Sequence, residues 1–469
     1  MRLTRLALHA PLLLALAACA TRSAPPATLA AAAPAQWQAP LPHNGSVTDL
    51  KQWWQQFNDP LLSQLITSAE ELSPTLASAR SRIAQSRATR VATGAALAPA
   101  LNGNASVVRG RQDFISPLGT LAQAGLQASW EIDLFGGDRA ARDAAQARLD
   151  SAQAGWHEAR VSVAAETAST YLALRACEAQ LVQTQADAAS RGETARLTEL
   201  SAKAGFQSPA NKALANASAA QARAQLTAQQ AQCDLGVKAL VALTGIAETT
   251  LRTQLAPGSA TLPQPAQISV AAVPAEALAQ RPDLYAAASE VVAASADVSQ
   301  SQAQRLPRVS LTGSVSRAHF DTAAGSGDGT LWAIGPITVS LPLFDAGMRA
   351  AKVDEARARY DEAASVYRGK LRAAVREVEE ALVQLHSTAQ RGDDARAAAQ
   401  GFNDSYRATE ARYRGGLASL FELEDARRTA VQARSALIDL DRERVAAWIS
   451  LYRALGGGWT AAELQSASK

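Results

Sequence analysis

The chain repeats itself. Leu97-Ala98-Pro99 returns as Arg305-Leu306-Pro307, and Leu134-Phe135 as Leu343-Phe344. Gly205-Phe206-Gln207-Ser208 returns as Gly416-Leu417-Ala418-Ser419, and Leu243-Thr244-Gly245 as Leu455-Gly456-Gly457. The offset creeps from 208 to about 211 residues, as small insertions would cause. Any one pair can arise by chance. Four in the same order, each at a boundary between pattern types, make chance a poor account. A duplicated chain must build one supersecondary plan twice and bury matching faces in both copies.

Within each copy the period of the pattern changes. Ala124, Leu126, Ala128, Trp130, Ile132 and Leu134 alternate with Gln123, Gln127, Ser129, Glu131 and Asp133. That is a strand over about 121–134 with one apolar and one polar face. Over 308–317, Val309, Leu311 and Val315 alternate with Ser310, Thr312, Ser314 and Ser316. Residues of about 100–110 and 331–344 alternate less strictly. Each copy therefore offers two strands of about ten residues, and about nine to eleven tilted residues cross a bilayer. Apolar-out and polar-in is the pattern of a membrane barrel with a wet lumen. Taken alone, it also suits a soluble hairpin pair.

After each strand pair the pattern turns helical. Residues 138–204 and 347–414 contain no proline, and each run of close to 67 residues would be about 100 Å long if continuous. Each run ends at a glycine turn, Gly205 and Gly415-Gly416. The return segments, 209–243 and 418–455, are half as long; segments 60–93 and 275–304 supply the missing half. One long helix can thus pair with two short ones laid end to end. Four strands cannot close a barrel, since about eight is the practical minimum, and open strand edges cannot sit in lipid. The chain must oligomerise.

Composition agrees. Aromatics are 5% and alanine is abundant, which suits long helices at close approach. The net charge of +3, well mixed, leaves no nucleic-acid footprint. Histidines at 9, 43, 157, 319 and 386 have no ligand spacing, and neither a phosphate loop nor a nucleophile motif occurs. We expect no enzyme, metal or cofactor.

The N-terminus places the chain. Arg2 and Arg5 precede an apolar run that ends Leu16-Ala17-Ala18-Cys19. Residues 1–18 read as a signal peptide, and its ending resembles a bacterial lipobox. That resemblance implies acylation of Cys19; an ordinary signal peptide with a chance cysteine is the alternative. Ala20 stands where an Asp would imply inner-membrane retention, so the anchor would sit in outer-membrane lipid. Residues 19–45, rich in Ala and Pro, read as an extended tether.

Trp53-Trp54-Gln55-Gln56-Phe57-Asn58-Asp59-Pro60-Leu61 resembles the opening of outer-membrane efflux channels of the TolC-like family. Gln280-Arg281-Pro282-Asp283-Leu284 resembles that family's Arg-Pro-Asp segment, and the lipobox points to its NodT-type lipoprotein branch. The resemblance implies an α+β fold, with long α-helical coiled-coil hairpins forming a periplasmic tunnel. Four strands from each protomer of a homotrimer would close a 12-stranded transmembrane β-barrel. It implies a passive exit duct for drugs or other small toxic compounds in a tripartite efflux pump. The partners would be a periplasmic adaptor (membrane fusion) protein and an inner-membrane pump of RND type. A type I protein secretion duct and a purely structural periplasmic coiled-coil lipoprotein are the alternatives. The domain expectation is a first repeat at 46–250 with its hairpin at 138–243 and a linker at 251–274. A second repeat at 275–459, with its hairpin at 347–455, and a tail at 460–469 would follow.

Cys177 lies 28 residues before Gly205 and Cys233 lies 28 after it. In a hairpin folded at Gly205 they stand at one height. In an oxidising periplasm they form either a disulfide or two buried thiols. Thr388 and Arg444 occupy the corresponding positions of the second copy. By resemblance, the turns carrying Gly205, Ser208, Gly416 and Ser419 are the adaptor-contact tips and flank the aperture. Glu422, Glu424 and Asp425 follow the second tip. Threefold symmetry would make an inward carboxylate a charge-selecting ring; a solvated helix face is the plain alternative. Arg412 and Arg414, on the opposite arm, would pair with these acids and hold the tip closed. Arg281-Pro282-Asp283 reads as a helix start, structural rather than catalytic.

Overall fold

The computed structural model describes residues 24–29, 33–34, 36–40, 50–111, 118–265, 278–279 and 281–460. Cys19, the signal peptide and the residues after Thr460 lie outside them. The two sequence repeats are not the two compact bodies. One unit joins Ser81–Gln153 to Ala286–Gly369 with the chain up to Ala31; the other joins Ala32–Arg80, Ala154–Tyr285 and the chain from Lys370. Each body draws on segments of both copies.

The first unit holds the sheet. Strands β1 (Ala100–Gly110), β2 (Gly119–Ile132), β3 (Arg308–Thr322) and β4 (Gly325–Ser340) lie antiparallel in that order. The central pairing, Ile132↔Val309 through Gly119↔Thr322, joins the two copies. Strands β3 and β4 run further than their alternation suggested, because the glycine-rich stretch from Gly325 pairs with β3 out to Thr322.

The weak alternation of β4 has a cause. Between Leu311↔Ile337 and Gly313↔Ile334, one β3 residue faces two on β4, Gly335 and Pro336. This bulge shifts the side-chain parity by one. Trp332 and Ile334 before it and Ile337 and Val339 after it therefore share one face. The register adds Val309, Leu311 and Val315 of β3, the even residues from Ala122 to Ile132 of β2, and Leu101, Ala105 and Val107 of β1. Polar Arg109, Thr120, His319 and Asp328 end this band on the same face. The opposite face carries Asn102, Asn104, Ser106, Gln123, Gln127, Ser129, Ser310, Thr312, Ser314 and Ser316.

Helices α1 (Pro60–Leu72), α2 (Pro74–Ala95), α3 (Gly137–Lys203), α4 (Pro209–Thr244), α5 (Glu248–Leu255), α6 (Pro282–Ala303), α7 (Met348–Arg414) and α8 (Leu420–Ala454) complete the chain. The 60–93 helix is broken: α1 stops at Ser73, and Pro74 starts α2 because its ring suits a first helical turn and not an interior. Alanines do the close packing in the first unit, where Ala144, Ala147 and Ala293 are buried together. Val291, Ala294 and Val298 of α6 meet Ala356 and Tyr360 of α7.

The second unit has the larger apolar core, including Trp53, Leu62, Leu65, Tyr171, Leu240, Leu382, Trp448 and Leu451. Asp59 caps α1, accepting from Leu61 N at 3.0 Å and Leu62 N at 3.2 Å. Buried Arg281 donates to Asp283 and Glu377, and to the Ala454 carbonyl at 2.8 Å. Cys177 and Cys233 are disulfide-bonded between α3 and α4, with Cα atoms 5.6 Å apart.

The described part of the supposed tether is docked, not free. In the first unit, Ser295 Oγ donates to Pro25 O at 2.6 Å and Tyr360 OH to Pro26 O at 2.9 Å. In the second, Gln38 N and Ala39 N donate to the two Glu379 carboxylate oxygens at 2.7 and 2.8 Å, while Trp37 and Ala39 are buried. Proline carbonyls and backbone N–H groups that bond to side chains give an extended segment a fixed seat.

Candidate functional site: the strand face and the hairpin turns

Much of the apolar band is open among the described residues: Trp332 is 73% and Ile334 83% exposed. Among the described residues, strands β1 and β4 each keep an edge unpaired. The sheet thus has a lipid-compatible face, a polar face, and two edges whose backbone groups need strands from outside.

The two hairpin turns belong to the second unit. Gly205 (φ +81°) and Gly416 (φ +74°) take the left-handed conformation that ends a helix without side-chain strain. Phe206 N bonds Ser201 O at 2.9 Å, and Leu417 N bonds Arg412 O at 2.8 Å. Ser208 and Ser419 cap the return helices α4 and α8. Phe206, Leu417 and Phe421 project from the turns, each more than 70% exposed. Lys212 and Lys203 bracket Glu199 at 3.2 and 3.4 Å and hold its carboxyl below the usual range.

The three acids after the second turn have three different situations. Glu422 completes a capping box, accepting from Ser419 N at 3.0 Å while Ser419 Oγ accepts from Glu422 N at 3.1 Å. Glu424 is mostly buried; it accepts from Ser218 Oγ at 2.7 Å and Arg191 Nη1 at 3.3 Å, and pairs with Arg427. Asp425 is exposed and pairs with Arg428. Within the protomer the expected pairing of Arg412 or Arg414 with these acids is not made. Arg414 pairs with Glu410 at 3.2 Å, one helical turn back, and Arg412 donates to Leu417 O at 3.1 Å. Neighbours on the same helix are nearer than groups across the turn.

What joins the hairpins lies deeper. Arg427, 2% exposed, donates to Thr194 Oγ1 at 3.0 Å and lies 5.5 Å over the Tyr406 ring. Tyr406 OH meets Ser190 Oγ at 3.0 Å, and Arg191 also holds Asp187 at 2.8 Å. This node ties α3 and α4 of the first copy to α7 and α8 of the second. Its members stand in no sequence spacing. The one available signal was a run of charged residues at 424–428 beside a helix start.

Among the described residues, no helix is long and apolar enough to cross a membrane, and no cluster of His, Cys, Asp and Glu could hold a metal ion. The model of the family described as outer membrane efflux protein matches residues 65–246 and 273–457, one stretch per repeat. The chain is 31% identical to the pyoverdine export outer membrane protein OpmQ of Pseudomonas putida, over 96% of this chain and 97% of that one. It is 30% identical to the outer membrane protein OprJ of Pseudomonas aeruginosa, over 88% of each. Its fold matches the outer-membrane channel OprN with a TM-score of 0.83 and 26% identity, covering 93% of this chain and 99% of that one. Such channels are trimers that work with adaptor and inner-membrane pump partners. A duplicated chain with a lipid-compatible sheet and helical hairpins, matched over nearly its whole length, belongs to the outer membrane efflux protein family and is the outer-membrane channel of an efflux pump, with a periplasmic helical tunnel.

Proposed function

We propose that the chain is the passive exit duct for drugs or other small toxic compounds, anchored through acylated Cys19 and served by an RND-type pump. The observation that carries the duct is the four-stranded sheet, with an unpartnered apolar face and two unpaired edges. Three copies bring twelve strands, enough to close a barrel around a lumen lined by Ser, Thr, Asn and Gln. OpmQ is named for pyoverdine export, and export of a small molecule suits the same polar lumen.

At the turns, the exposed Phe206, Leu417 and Phe421 support adaptor contact around Gly205, Ser208, Gly416 and Ser419. Apolar groups held out on rigid capped turns suit burial in a partner. Asp425 is the favoured aperture carboxylate, since it is exposed while the likewise exposed Glu422 is committed to the cap. The repeat boundaries 46–250 and 275–459 mark the duplicated plan. The test is assembly and conduction. Purified protein in mild detergent should be a trimer by light scattering and should form water-filled channels in planar bilayers. A monodisperse monomer with native strand content would sink the barrel, and unchanged fatty-acid labelling of Cys19→Ala would sink the anchor.

A further inference from the structure

The polar face of the sheet carries one apolar band. Val108 pairs with Leu121 and Leu121 with Phe320, so three strands set large apolar side chains in one row across that face. On β4 the row meets Gly327, where a Cβ would lie 2.7 Å from Phe320 Cε1; the ring therefore rests on bare backbone. Leu331, further along β4, shares the face through its pairing with Ser316. Helices α2 and α6 lead into β1 and β3, and β2 and β4 lead out to α3 and α7, so the row lies at the end of the sheet away from the helices. Val108, Phe320 and Leu331 are each more than 50% exposed in the protomer. All four side chains line a cavity of about 570 Å³, in the range of small-molecule sites. Its charged wall residues, Arg111 and Asp328, have opposite signs.

We propose that this band is a cargo site at the outer mouth of the lumen, taking the alkyl or aromatic part of an amphipathic small molecule in transit; it rests on the duct reading above. The row faces away from Trp332 and Ile334, which occupy the lipid-compatible face, so it lies on the side that lipid does not reach. Packing within the described chain does not cover it either, since its members stand open while Ala318 beside them is buried. Three copies repeat the row around the lumen. Elsewhere the same face offers Asn102, Asn104, Ser106, Gln123 and Gln127, which solvate polar cargo and leave apolar groups in water. A phenyl ring flanked by aliphatic groups removes apolar surface from water, and roughly 55 Å² buried is enough for a tenfold gain in affinity. With opposite charges at the wall, apolar area rather than the sign of the cargo's charge sets that gain. The contact is partial and open, so cargo can leave as well as enter, as conduction requires.

The test uses the purified full-length trimer in planar bilayers, with two probes of the same charge, tetramethylammonium and tetrabutylammonium. Each is added to one side in turn, and the concentration that halves the potassium chloride current is measured. We expect tetrabutylammonium to reach half-block at a concentration about tenfold lower than tetramethylammonium, or lower still. The Leu121→Ser/Phe320→Ser double variant should bring the two concentrations together. Val108→Asn, an exposed position on an edge strand, should narrow the gap as well, and it carries the test if the double variant does not assemble. Circular dichroism and trimer mass check that each variant is folded. Equal half-block concentrations in the wild type would overturn the proposal. So would folded variants that keep the wild-type gap; if they also raise salt conductance, the band is a barrier to water and not a site. Protein that forms no channels would refute the duct reading itself, and this site with it.

Discussion

Glu424 and Arg427 form one buried pair, yet they should not be equal on removal. In Glu424→Ala, Arg427 keeps only Thr194 Oγ1 at 3.0 Å and the Tyr406 ring as partners, at 2% exposure. Stranding a buried cation in this way costs about 3–5 kcal/mol. In Arg427→Met the acid that remains still accepts from Ser218 at 2.7 Å and Arg191 at 3.3 Å. The methionine fills much of the vacated apolar volume, so the cost should fall to about 1 kcal/mol or less, as when buried pairs give way to hydrophobic residues. The suitable assay is hydrogen exchange of the amides at the start of α8, which reads local opening rather than global melting. Glu424→Ala should lower their protection by roughly a hundred- to a few-thousand-fold, since about 1.4 kcal/mol is a factor of ten. Arg427→Met should lower it less than tenfold. The node joins the two hairpins, so Glu424→Ala should also raise single-channel conductance. Equal losses of protection in the two variants would refute the reasoning, because the pair would then act through mutual attraction alone.

Three further outcomes follow from the geometry. Replacing Cys177 and Cys233 with Ser opens a 56-residue separation, for which the chain-entropy relation gives about 4 kcal/mol as an upper figure; thermal unfolding with and without reductant should converge for this variant only. Gly125→Val places a Cβ within 2.4 Å of Val315 O and 2.5 Å of Ser316 Cβ, so β2 and β3 should separate and trimers should vanish on native gels. Burial pushes the Asp150 carboxyl above its ordinary 3.8, with Gln146 as its hydrogen-bond donor. The folded state therefore holds that proton more tightly, and ionisation costs stability as pH rises above 3.8. Asp150→Asn should raise the melting temperature at neutral pH and lose that gain as pH falls to 4; a gain that is the same at both would count against it.

Much of the fold was legible because it rests on period. The β2 alternation from Ala124 to Ile132 and the uninterrupted helical runs ending at Gly205 and Gly416 follow from local geometry. The β4 alternation was blurred because a parity shift at Gly335-Pro336 moves the apolar set from even to odd positions, and period counting has no term for a bulge. Docking of Pro25, Pro26, Gln38 and Ala39 was missed because it uses backbone groups, which every sequence has, against Ser295, Tyr360 and Glu379 far along the chain. The interleaving of the two units was missed for a related reason. A duplication shows which segments are alike, not which segments cover each other.

The turn acids show how far sequence reading reaches into the site. Ser419-x-x-Glu422 is a capping box on its face, and the structure uses it as one. A side chain committed to a cap at 3.0 Å has little freedom to face an axis. Glu424 is withdrawn into the node, where burial removes it from any lumen. Glu422 and Asp425 are both exposed, but Asp425, 53% exposed at the side chain, is not committed to a cap and is matched by Arg428 one turn on. A threefold ring built here would therefore carry alternating charge rather than bare carboxylates. Such a ring attracts cations weakly while the pairs hold, because each exposed pair is close to neutral and is held by only about 0.2–1 kcal/mol. Selectivity at this aperture would then depend less on how many acids face the axis than on how often their arginines let go.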